Sequence, residues 1–252
     1  MSSSDRFGLP RKVSTCLFDL DGVLTETAKV HAAAWKEMFD GFLRRRGAAG
    51  GGQFDAFDET LDYDTYVDGK PRLDGTRSFL EARGISLPEG ASSDATGTDT
   101  VYGLSNAKNE IVTQMIARGG VEAYPGSVSY LRAVLKGGLH RGVVSSSANC
   151  AAVLKSAGIA DFFEARVDGL TVRREKLEGK PAPDTFLAAA KLLGVEPGEA
   201  AVFEDALAGV EAGRSGRFGF VVGVDRVGQA EALKAHGADI VVADLSELLH
   251  EM

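Results

Sequence analysis

Carboxylates, hydroxyls and a lysine stand just beyond apolar, strand-like runs of this sequence, a distribution suited to cation-assisted chemistry on an anion. Asp19 and Asp21, in Phe18-Asp19-Leu20-Asp21-Gly22, lie two apart after a run that begins at Val13, so a twist in the loop can turn both carboxylates into one pocket. Alone, Asp-X-Asp is equally an ordinary turn or simple cation site. Gly142-Val143-Val144 runs into Ser145-Ser146-Ser147-Ala148-Asn149, where hydroxyls and the N–H groups opening a helix can hold phosphate oxygens, although a plain helix cap uses the same residues. Two prolines in Gly179-Lys180-Pro181-Ala182-Pro183-Asp184 hold Lys180 near a fixed position ahead of a helix; in isolation it reads as a surface lysine. Ala201-Val202-Phe203 leads into Glu204-Asp205, which with Asp19 offer the hard oxygen ligands that Mg²⁺ takes, while Asp205 also suits a helix cap.

The elements that must position these residues follow from periodicity. Val13 to Asp19 reads as a buried strand. From Ala28 to Phe42, the residues Val30, Ala34, Trp35, Met38 and Phe42 recur at helical spacing, which makes Trp35 a core residue. Residues 47–53 read as a flexible loop, the acidic stretch to Pro71 as a surface connection, and Arg72–Arg83 and Asn106–Arg118 as helices separated by a Gly-, Ser- and Thr-rich segment at 90–100. After Tyr124-Pro125-Gly126 the pattern alternates. A helix over 127–136, a strand at Leu139–Val144 and a helix from Ala148 precede strand-like runs ending near Val167, Glu204, Val224 and Ala243, with helices at 184–193, 206–213 and 228–236. Such alternation predicts an α/β fold with a parallel sheet, whose ligands gather at the carboxyl ends of the strands.

Composition narrows the class. In 252 residues, 44% hydrophobic and 25% charged, the chain can build one large domain or a core carrying an insertion. A net charge of −8 argues against nucleic-acid and anionic-membrane partners, and Arg44-Arg45-Arg46, the sharp basic run, reads as a solvated helix end. Cys16 and Cys150 form neither a disulfide framework nor a Cys-X-X-Cys site, which fits a reducing cytoplasm. Met1 to Lys12 lacks the apolar run of a signal peptide and reads as a short, mobile arm.

The order Asp-X-Asp, Ser, Lys, Glu-Asp, each beside a strand end, is far more specific than any one piece, and it resembles the haloacid dehalogenase superfamily. The likeness is to its β-phosphoglucomutase-like branch, carried by Phe18 to Thr27, His31, Trp35, the Lys180 segment and Phe203-Glu204-Asp205, and it covers nearly the whole chain. It implies a Rossmann-like parallel-sheet core, residues 1–27 and 119–252, with an inserted α-helical cap at 28–118.

The resemblance further implies Mg²⁺-dependent phosphoryl transfer on a small phosphorylated sugar, and the chain is expected to be a monomer. Asp19 would be the nucleophile, forming an aspartyl-phosphate, and Asp21 the general acid and base, which needs a carboxyl that holds a proton. Ser145 and Lys180 would stabilise transition-state charge, and Asp19, Glu204, Asp205 and the backbone carbonyl of Asp21 would bind the metal. Thr27, His31, Arg72, Lys108, Ser146, Ser147 and Asn149 fall where the branch contacts or positions substrate. Ala148 departs from it, standing where the mutase pattern commonly has a lysine. Asp21 disfavours dehalogenation, because the dehalogenases lack an acid there. The expected activity is interconversion of β-glucose 1-phosphate and glucose 6-phosphate; a sugar-phosphate phosphatase and a non-catalytic phospho-acceptor module are the alternatives.

Overall fold

The computed structural model describes residues 7–50 and 55–249. Strands run, in chain order, β1 (Thr15–Phe18), β2 (His140–Val144), β3 (Ala165–Val167), β4 (Ala200–Glu204), β5 (Phe220–Val224) and β6 (Ile240–Val242). Helices are α1 (Ala28–Gly50), α2 (Arg72–Ala82), α3 (Val101–Gly119), α4 (Pro125–Lys136), α5 (Cys150–Ser156), α6 (Gly169–Glu175), α7 (Asp184–Leu193), α8 (Leu207–Ser215) and α9 (Ala230–His236). The chain divides into two compact units, Met1–Glu26 with Val121–Met252, and Thr27–Gly120.

The first unit holds one sheet in the order β3-β2-β1-β4-β5-β6, parallel throughout. β1 and β4 are buried along their whole length, which is why both read as apolar without polar alternation. Successive side chains of β1 serve opposite layers. Leu17 packs with Phe186 and Ala189 of α7, whereas Phe18 stacks on Phe203 at 4.5 Å and meets the Tyr130 ring of α4 edge-on at 6.2 Å. Burying a ring such as Phe18 stabilises by about 2–3 kcal/mol. The order places β1 between β2 and β4, where the chain reverses its direction of travel across the sheet, and a crevice for ligands forms at such a switch point.

The second unit is helical, around Trp35, Phe39, Phe42, Phe57, Phe79 and Leu104, with Trp35 buried and stacked on Phe39 at 5.2 Å. Its irregular stretch is pinned by charge. Lys36 donates to the Phe57 carbonyl at 2.7 Å, Asp40 accepts from the Phe57 N–H at 2.8 Å, and Arg83 reaches both Asp55 and Asp62 at 2.7 Å.

Several expectations are corrected. The loop expected at 47–53 is helical as far as Gly50, because the good helix formers Arg44-Arg45-Arg46 and Ala48 carry the helix onward; residues 51–53 lie outside the described residues. The arginine run therefore sits within α1, with Arg45 facing Asp99 at 3.5 Å. The arm expected to be mobile is anchored from Phe7 on: Phe7 and Leu9 are buried, and the Tyr130 hydroxyl donates to the Phe7 carbonyl at 2.9 Å; Met1 to Arg6 lie outside the described residues. The third helix starts five residues earlier than Asn106, because Thr100 caps it by accepting from the Gly103 N–H at 2.9 Å. The segment Tyr63–Val67 coils as a π-helix, and α6 was missed: the buried Asp168 carboxylate, accepting from Leu170 and Thr171 N–H groups at 3.0 Å, starts it.

Candidate active site

β1 delivers Asp19 into register with its neighbours. The Asp19 N–H donates to the Phe203 carbonyl at 2.9 Å, so the ladder with β4 extends one residue beyond the strand and sets Asp19 beside Glu204. The chain then folds back. Gly22 N–H donates to the Thr25 carbonyl at 2.9 Å, and the Thr25 N–H and hydroxyl both donate to the Leu20 carbonyl, at 3.0 and 3.1 Å. Gly22 makes this possible with φ of +86°, in the left-handed region, and it passes so close to Asp205 that a Cβ would collide with that carboxylate.

Lys180 is the electrostatic centre. Its side chain is 0% exposed, and its ammonium lies 2.5 Å from Asp19 Oδ1, 2.5 Å from Glu204 Oε1 and 3.2 Å from the Val144 carbonyl. Burial pulls the lysine pKa down, but the two carboxylates outweigh it and hold it above the ordinary value. Burial likewise pushes the Asp19 carboxyl up; the charge of Lys180 opposes this, and the carboxylates of Glu204 and Asp21 reinforce it. Oxygens of Asp19, Glu204 and Asp205 all lie within 4.8 Å of one another. Three carboxylates against one ammonium leave −2 when all are ionised, and an all-oxygen donor set with this excess charge fits a hard divalent cation.

From β2, Ser145 donates to Asp21 Oδ2 at 3.3 Å, while its hydroxyl accepts from the Ser147 N–H at 3.1 Å; the Ser147 hydroxyl accepts in turn from Asn149 N–H at 3.1 Å. These turns delay the helix expected from Ala148, and α5 begins at Cys150. Ser146, Ser147 and Asn149 thus share one strand-end loop with Ser145. Asp19, Asp21, Ser145, Lys180, Glu204 and Asp205 come together within the first unit, from three strand ends and one loop. The remaining predicted residues belong to the second unit. There His31 Nδ1 and Lys108 Nζ are 2.8 Å apart, the Lys108 ammonium sits 4.7 Å from the Trp35 ring centroid, and Arg72 opens α2, where the Thr76 hydroxyl donates to its carbonyl at 3.0 Å. Thr27 is buried at the start of that unit, accepting from the His31 N–H at 2.9 Å.

Sequence reasoning missed the loop after β5. Arg226 donates to the Gly22 carbonyl at 2.9 Å, and Gln229 to the Asp205 carbonyl at 3.1 Å. The available signal was position: Asp225-Arg226 follows the strand that ends at Val224, as the other polar clusters follow theirs.

Comparison with known proteins agrees with this arrangement. The chain is 55% identical over 245 residues to a protein of Mycobacterium bovis named beta-phosphoglucomutase, covering 96% of this chain and 94% of that one. It is 30% identical over 204 residues to fructose-1-phosphate phosphatase of Escherichia coli, covering 79% and 90%. The crystal structure of beta-phosphoglucomutase from Clostridium difficile superposes with a TM-score of 0.74 at 28% identity, covering 95% of this chain and 94% of that one. The family model of haloacid dehalogenase-like hydrolases matches residues 13–217, and the chain belongs to that family.

Proposed function

We propose that the chain is a Mg²⁺-dependent β-phosphoglucomutase that interconverts β-glucose 1-phosphate and glucose 6-phosphate, with the helical unit Thr27–Gly120 as its cap. The observation that carries the chemistry is the pairing of Asp19 and Asp21 in one loop with different partners, Lys180 for Asp19 and Ser145 for Asp21. Two carboxyls in unlike settings can take unlike roles. An oxygen of Asp19 attacks the phosphorus of the bisphosphate, the bond from phosphorus to the sugar oxygen breaks, and Asp21 gives its proton to that oxygen. In the second half, Asp21 takes the proton of a sugar hydroxyl, whose oxygen attacks the phosphoaspartate and frees Asp19. Ser145 and Lys180 hold the phosphoryl oxygens as charge moves between them.

Asp19, Glu204, Asp205 and the Asp21 carbonyl would hold the cation; bound there, Mg²⁺ supplies the positive charge that lets a carboxylate approach a phosphate. Thr27, His31, Arg72 and Lys108 in the cap, and Ser146, Ser147 and Asn149 in the core, bind and orient the sugar phosphate. A sugar hydroxyl rather than water as acceptor is supported by the Mycobacterium bovis relative. The chain would work as a monomer in the cytoplasm, where a reducing environment keeps cysteines such as the free, buried Cys16 and Cys150 unpaired; among the described residues no helix is long and apolar enough to cross a membrane.

Pure protein is incubated with Mg²⁺, β-glucose 1-phosphate and a trace of glucose 1,6-bisphosphate. Glucose 6-phosphate is the expected product. Release of inorganic phosphate at the rate of substrate loss would instead mark a phosphatase.

A further inference from the structure

The loop 225–229 is built more tightly than its exposed setting requires. Asp225 Oδ1 accepts from the N–H groups of Val227, Gly228 and Gln229 at 3.2, 2.7 and 2.8 Å, which fixes the backbone from which Arg226 and Gln229 project. The Arg226 guanidinium donates through Nε to the Gly22 carbonyl at 2.9 Å and through Nη1 to the Ala243 carbonyl at 2.8 Å, with Nη2 3.4 Å from the Val23 carbonyl. Its face lies 3.7 Å from the centroid of Tyr124, and Asp244 balances its charge at 3.4 Å. A planar fork that spans backbone carbonyls and stacks on a ring is a task for arginine and not for lysine.

Both polar groups of Gly22 are thereby bonded, its N–H to Thr25 and its carbonyl to Arg226. The plane that carries the Asp21 carbonyl is set by the Gly22 N–H bond to Thr25, and Arg226 fixes the next plane, Gly22–Val23, so the two soft dihedrals of Gly22 between them are held from both sides. From the same loop, Gln229 holds the backbone of Asp205.

We propose that Arg226 and Gln229 are positioning residues for the cation, Arg226 by fixing the Gly22–Val23 peptide that adjoins the Asp21 carbonyl and Gln229 by holding Asp205. This rests on the reading of the acidic cluster as a divalent-cation site. A strand that contributes no acid to the cluster would then set the affinity of the acids contributed by β1 and β4.

The test uses Mn²⁺ as the probe, with binding to the substrate-free, full-length protein followed by electron paramagnetic resonance. Arg226→Lys, Arg226→Ala and Gln229→Leu are compared with wild type, and thermal unfolding in chelator reports folding separately. Loss of an outer-shell partner weakens metal binding by roughly 10-fold or more. The expected result is a rise of about 10-fold in the Mn²⁺ dissociation constant for Arg226→Ala and Gln229→Leu, with Arg226→Lys close to Arg226→Ala. Millimolar guanidinium should partly restore affinity to Arg226→Ala. Where Arg226→Ala fails to fold, Arg226→Lys and Gln229→Leu decide the matter. Unchanged Mn²⁺ affinity in those two, whatever happens to the melting temperature, overturns the proposal. A wild type that binds no Mn²⁺ overturns it together with the cation reading, whereas weakened variants of a wild type that turns over no sugar phosphate support it and overturn only the mutase reading.

Discussion

The two units hold their buried lysines in different ways. Lys180 is clamped by two carboxylates and a carbonyl, each fixed by a parallel ladder whose register is set residue by residue. Lys108 is held by the imidazole of His31 and the indole face of Trp35, partners carried on α1, whose positions depend on how aromatic side chains pack. Backbone ladders tolerate little drift, whereas a packed helix face can be remodelled by exchanging side chains of similar volume. Chemistry kept on the ladder and substrate contacts kept on the helices would let one family retain its reaction while changing its sugar.

That contrast can be broken from either side, and the largest effect is expected at Asp19. Asp19→Ala should lower turnover by at least about 10³-fold and abolish an acid-stable phosphoenzyme, as loss of a covalent nucleophile does; mass spectrometry of the acid-quenched protein reads this, and a phosphorylated variant would show the nucleophile to be elsewhere. Lys180→Ala comes next. Leaving Asp19 and Glu204 buried without their counter-ion should cost about 3–5 kcal/mol in denaturant unfolding with chelator present. Mg²⁺ should return part of that loss. A variant as stable as wild type in chelator would mean that the carboxylates are not charged partners of the lysine. Lys108→Ala should be milder, lowering kcat/KM about 10-fold, or about 1.4 kcal/mol, while the phosphoenzyme still forms. Loss of phosphoenzyme formation there would erase the division between chemistry and substrate binding.

The smallest effect is expected at Asp225. Burial pushes its carboxyl up, but the backbone N–H groups of Gln229, Gly228, Val227 and Ala230 outweigh this and hold it below the ordinary value. A depressed carboxyl contributes stability above its unfolded value, near 4, and loses it as pH falls through the folded value. Asp225→Asn should therefore melt about 2 °C below wild type at pH 7, with the gap closing under acid conditions. A gap that widened in acid would reverse the sign.

Much of the first unit was legible because its central strands are buried on both faces, so Val13 to Phe18 and Ala201 to Phe203 stand out as apolar runs that stop at acids. Helices with a strong stripe were legible from their 3.6-residue period, and α6, seven residues started by a single buried aspartate, was not. The extension of α1 to Gly50 was hidden because glycine content suggests a loop even where neighbouring Arg and Ala carry a helix onward. Harder still were the contacts of Arg226 and Gln229. They join positions 204 and 24 residues apart in sequence, and they follow only from a strand order that sets β5 beside β4 and β4 beside β1.

Gly209, in the first turn of α8, stands where a Cβ would run into the Glu204 carboxylate, as one at Gly22 would run into Asp205. The acidic signature thus has two silent letters, positions that matter for what they lack. A single methyl at either would shift an acid without altering its charge. Such a change would detune the site while leaving every acidic position of the motif intact, a route by which relatives bearing the full set of acids can still differ in their appetite for metal.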